Sequence, residues 1–152
     1  AHQPAEQGHP ALMIGWPRVP LSPRLTNALA IAALFAAGSS GLDYIALPEP
    51  SLALTYVEQS MPLDAWGFVL VIAVVGAVVG WVLEFWPGVI VSHMTLAGCY
   101  AAFGVGALAA IALEWHGSGW RTGISWICLQ GVVHLVLAAA AWRQLDRQRL
   151  HL

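Results

Sequence analysis

His93 and His134 stand inside long apolar runs, beside the other polar side chains that could do chemistry there. Ser92, Thr95, Cys99 and Tyr100 share the run of His93, and Ser125, Cys128 and Gln130 share that of His134. Polar groups in hydrocarbon are costly, so each needs a partner or a task. An imidazole can ligate a metal, pass a proton or hydrogen-bond a neighbouring helix. Gln130 and His134 are four residues apart and would share one face of a regular helix, as would Ser92, Thr95 and Cys99. At 1.5 Å per residue, His93 lies about 9 Å from Pro87 and His134 about 12 Å from Trp142. In an antiparallel pair of helices the two rings would face each other.

Three chemistries fit that pattern. A metal or haem site at His93 and His134 would need a further ligand or a haem-attachment motif. The sequence offers neither, so no metal and no cofactor is expected. A proton or ion path along Gln130, His134 and Ser92 or Thr95 is the second. The third, and the expectation, is plain hydrogen bonding between helices, at about 0.6 kcal/mol per contact. Catalytic residues are not expected: no GxSxG, HExxH, P-loop or GxGxxG motif occurs, and Asp43, Asp64, Glu84 and Glu114 all sit at the ends of apolar runs. Cys99 and Cys128 form no CxxC pair and read as small buried hydrophobes.

The elements that must position these residues are four apolar runs, Leu25–Leu47, Leu63–Leu83, Gly88–Leu113 and Thr122–Trp142. Each is close to or above the ~20 residues a helix needs to cross a membrane. Only 9% of the 152 residues are charged, against about 25% in soluble domains. The expected fold is therefore an all-α integral membrane protein, an up-down bundle of four transmembrane helices (about 25–47, 63–83, 88–113 and 122–142). Gly38-Ser39-Ser40-Gly41 in the first run and Gly76-x-x-x-Gly80 in the second permit close helix packing. Glu84-Phe85-Trp86-Pro87 reads as a tight turn, so the second and third runs should be antiparallel neighbours, as should the third and fourth. Residues 51–60 could form a short surface helix between Pro50 and Pro62.

All basic residues are arginines. With both termini in the cytoplasm, Arg18, Arg24, Arg143, Arg147 and Arg149 lie inside and Arg121 alone outside. Most tryptophans fall near run ends, as an aromatic belt would place them, while Trp126 lies deeper, where it could face a neighbouring helix. The first run reads as a retained span rather than a cleaved signal. Residues 1–24 are a proline-rich cytoplasmic leader, expected to be held by a partner, and 143–152 are a basic cytoplasmic tail. Its Arg143, Arg147 and Arg149 can meet anionic lipid headgroups. A formal net charge of −2 and the absence of a basic patch argue against nucleic acid. The lysine-free composition suggests a bacterial or phage source, and so a multi-pass protein of the bacterial inner membrane.

Pro23-Arg24-Leu25-Thr26 entering the first run, Leu47-Pro48-x-Pro50-Ser51 after it and Trp81-x-x-Glu84 closing the second resemble small four-span membrane proteins of actinobacterial phages, across about residues 23–142. That resemblance implies a holin-like, non-enzymatic protein that self-assembles in the membrane. The expected function is thus a holin-like or channel-like homo-oligomer. A structural or accessory subunit among other membrane subunits is the alternative, and a His93/His134 redox or ion-transport protein the third reading.

Overall fold

The computed structural model describes residues 22–46, 55–114 and 120–150, all-helical apart from short joints. The leader 1–21, residues 47–54, 115–119 and 151–152, and the side chains of Glu114, Trp120, Arg121, Thr122 and Cys128 lie outside the described residues. Among the described residues there are four candidate spans: α1 (Pro23–Ala46), α2 (Leu63–Val82), α3 (Trp86–Glu114), and a fourth built from α4 (Trp120–Ser125), a π segment (Trp126–Gly131) and α5 (Val132–Leu150). Each of the four is long and apolar enough to cross a membrane. The chain thus has the architecture of a multi-pass membrane protein.

Local chemistry sets the element ends. Ser22 caps α1: its hydroxyl oxygen accepts from the Leu25 N–H at 3.3 Å, and Pro23 follows in the first helical position. The turn between α2 and α3 is as short as expected. The Phe85 N–H reaches back to the Gly80 carbonyl (2.7 Å) and the Glu84 N–H to that of Trp81 (3.2 Å). Glu84 adopts φ 53°, a left-handed conformation that glycine usually supplies at a helix C-terminus. In place of a surface helix over 51–60, the described part of that joint holds a single 3₁₀ turn, Glu58–Ser60.

α1 packs on α2, α2 on α3 and α3 on the fourth span, and α1 also touches α5, closing the bundle. The interior is rich in small residues, including Ala33, Ala37, Ala73, Ala77, Ala97, Ala138 and Ala141. Large apolar side chains point outward, Phe35 and Val82 among them at 78% and 77% exposure. Water would reverse that arrangement; lipid does not, because association there comes from close backbone approach rather than from burying large hydrophobes. The tightest approach to a neighbouring backbone is between α1 and α2, where a Cβ on Gly67 would lie 2.6 Å from the Gly41 carbonyl oxygen. Gly76 and Gly80 are also spent within the chain, against Ser92 and Val89 of α3. The helical tail leaves the bundle exposed, with Arg143 donating to its own helix at the Ala139 carbonyl (3.3 Å).

Candidate functional site

α3 and α5 run antiparallel and bring His93 and His134 together. Nδ1 of one ring lies 3.0 Å from Nδ1 of the other. Both are buried, at 3% and 0% exposure. One nitrogen must donate and the other accept, so the bonded pair holds opposite tautomers at this position, and carries at most one extra proton. The Tyr100 ring, two turns along α3, stacks on His134 with centroids 5.8 Å apart and planes within 7°. The second ring nitrogen of His134, Nε2, and the Tyr100 hydroxyl are both buried without a hydrogen-bond partner. Ser40 lies beside that hydroxyl, outside bonding geometry, and its own hydroxyl donates to the Ala36 carbonyl.

The π segment explains how His134 reaches this position. Trp126 and His134 are eight residues apart, which in a regular helix leaves them about 80° out of line. One turn of π-helix absorbs an extra residue, so the pair behaves as though seven apart and returns to within about 20°. Both then face α3: Trp126 meets Phe103 at 5.7 Å, and His134 meets His93.

On the side of the chain termini, a cleft of about 90 Å³ opens between the helix ends, lined by Asn27, Trp81, Trp86 and Gln144, with His93 among its inner residues. It has room for several water molecules. On the opposite side, Thr55 and Glu58 form a reciprocal cap. Thr55 N–H donates to Glu58 Oε2 (2.7 Å), and Glu58 N–H donates to Thr55 Oγ1 (3.2 Å). The Tyr44 hydroxyl donates to the other carboxylate oxygen, Oε1. Glu58 is only 3% exposed. The loop sits close because α3 presents Gly106 there: a Cβ would lie 3.1 Å from Thr55 Oγ1. Between the two polar groups stands Phe103, 1% exposed and met edge-on by Tyr44, Trp66, Tyr100 and Trp126.

The residues expected to form one polar cluster are divided by the structure. His93 and His134 meet. Ser92 is buried but turned toward Gly76 of α2, and Cys99 is buried in the apolar core with Leu96 and Phe103. Thr95 is exposed, its hydroxyl donating to the Val91 carbonyl (3.0 Å), so it belongs to no buried cluster. Gln130 falls inside the π segment and is half-buried. Tyr44, Thr55, Glu58, Tyr100 and Phe103 complete the polar and aromatic file. The Thr55-x-x-Glu58 spacing is the signal in the sequence that could have found the cap. Trp66 packs edge-on against Phe103, with ring centroids 4.9 Å apart, as part of the cage of rings around it.

Among the described residues, no three of the His, Cys, Asp and Glu side chains converge as a metal site would require. No protein-family model, curated protein or solved structure matches the chain, so the geometry alone carries the functional reading.

Proposed function

We propose that this is a channel-like membrane protein whose cargo is the proton, relayed through His93 and His134. The observation that supports this is the buried Nδ1···Nδ1 contact of 3.0 Å, with His93 also lining a cleft open at one end of the bundle. A proton from cleft water adds to Nε2 of His93. The Nδ1 proton of His93 crosses to Nδ1 of His134, and the Nε2 proton of His134 leaves. One proton has moved, and the hydrogen bond persists with its direction reversed. Resetting it requires both rings to exchange tautomers. With the arginine-rich end in the cytoplasm, the cleft is the inner mouth.

Purified protein in liposomes with a trapped pH-sensitive dye tests the reading. A potential imposed with potassium and valinomycin should drive proton uptake, while a trapped fluorescent dye of small-protein size stays inside. Release of that dye would favour the holin-like reading instead. Proton uptake no faster than in protein-free liposomes would reject the relay.

A further inference from the structure

We infer that Glu58 is the second proton site of this path, at the mouth opposite the cleft, and that Phe103 is the barrier between it and the histidine pair. The inference rests on the relay proposed above. Its first support is that Glu58 is an unusual cap. A reciprocal Thr-Glu cap needs one carboxylate oxygen, and Oε2 fills that role with the Thr55 N–H. Oε1 is instead engaged by Tyr44, a hydroxyl brought in from a different helix. A carboxylate at a loop end could simply turn to water, yet this one is held inward at 3% exposure.

The second support is what lies between the sites. Tyr100 stacks on His134 and meets Phe103 with ring centroids 6.4 Å apart, and Phe103 meets Tyr44 at 6.2 Å. The buried Tyr100 hydroxyl has no partner, and neither has Nε2 of His134. Two unpartnered polar atoms on one side of a single phenyl ring, and a hydroxyl bonded to a carboxylate on the other, describe a polar file interrupted once. From Asn27 in the cleft to Tyr44, α1 rises about 26 Å, most of a ~30 Å hydrocarbon layer. The file therefore covers nearly the whole crossing, and Phe103 is its dry step.

Displacement of the Phe103 ring would let water join Tyr100 to Tyr44. A proton then arrives on the Tyr44 oxygen as the hydroxyl proton of Tyr44 passes to Oε1 of Glu58. Tyr44 ends unchanged, Glu58 becomes the neutral acid, and the proton leaves from Glu58 to water at that mouth.

The test is proton flux in liposomes for wild type, Glu58→Gln, Tyr44→Phe and Phe103→Ala. Glutamine can keep the cap, and Tyr44→Phe leaves the cap untouched, so folding can be checked by helicity and gel filtration in both. We expect both to lose flux, Phe103→Ala to raise it, and His134→Gln to remove the gain in the Phe103→Ala background. Wild-type flux that depends on His134 but is unchanged by Glu58→Gln and Tyr44→Phe would overturn Glu58 as the second site and leave the relay standing. Unchanged flux in Phe103→Ala, or a gain that survives His134→Gln, would overturn the barrier. Absence of flux in wild type would remove the relay itself, and this inference with it.

Discussion

His134 lies flat against Tyr100, ring planes within 7°, while its Nδ1 meets Nδ1 of His93 at 3.0 Å. One ring thus joins α5 to α3 twice, through a stack and through a hydrogen bond. A double-mutant cycle over His93→Ala and His134→Ala, read by unfolding in mixed micelles, should give a coupling of about 0.6–1.7 kcal/mol, the range of such bonds within membranes. Additive effects would mean that the bond contributes nothing to stability.

The α1–α2 seam should be the part of the bundle least tolerant of added atoms. A Cβ on Gly67 meets backbone, the Gly41 carbonyl oxygen at 2.6 Å, whereas one on Gly76 meets only the Ser92 hydroxyl at 2.7 Å, which can rotate away. Gly67→Ala should destabilise by about 1–3 kcal/mol, and Gly76→Ala by clearly less. Thermal denaturation in detergent will rank the two.

Glu84 holds a conformation that suits glycine. Glu84→Gly should therefore stabilise the protein by about 1 kcal/mol, visible as a higher melting temperature with unchanged helicity.

The π segment makes a prediction about chain length. Leu129 is 64% exposed and lies inside it. Deleting Leu129 would leave Trp126 and His134 seven residues apart in an unbroken α-helix, with both still facing α3. That deletion should retain the fold, within about 1 kcal/mol of wild type. Inserting an alanine at the same point should instead rotate His134 by about 100° and abolish the coupling with His93.

Much of this architecture was legible in the residues. Runs of the right length gave the four spans, Pro87 and Glu84 marked the tight turn, and counting along the runs placed His93 and His134 at matching heights. The remainder depends on signals that helical counting does not contain. A regular 3.6-residue period assigns Gln130 to the face of His134 and Thr95 to that of Ser92. The second fails because Ser92 turns to Gly76 while Thr95 bonds its own helix, and the first has to be counted through a π segment that departs from that period. Glu58 could not be singled out from the sequence because its partner Tyr44 is distant in sequence and on another span. The Phe103 cage likewise draws one ring from each of the other spans, together with Tyr100 of its own, and no local pattern announces that.

The proton relay stands or falls on voltage-driven proton uptake by liposomes carrying wild-type protein, His93→Gln or His134→Gln. An amide can hold a hydrogen bond across the helices but cannot take up and release a proton as imidazole does. The relay predicts uptake in wild type and uptake at the level of protein-free liposomes in both variants, with helicity and oligomeric state preserved. Equal uptake in all three would contradict it.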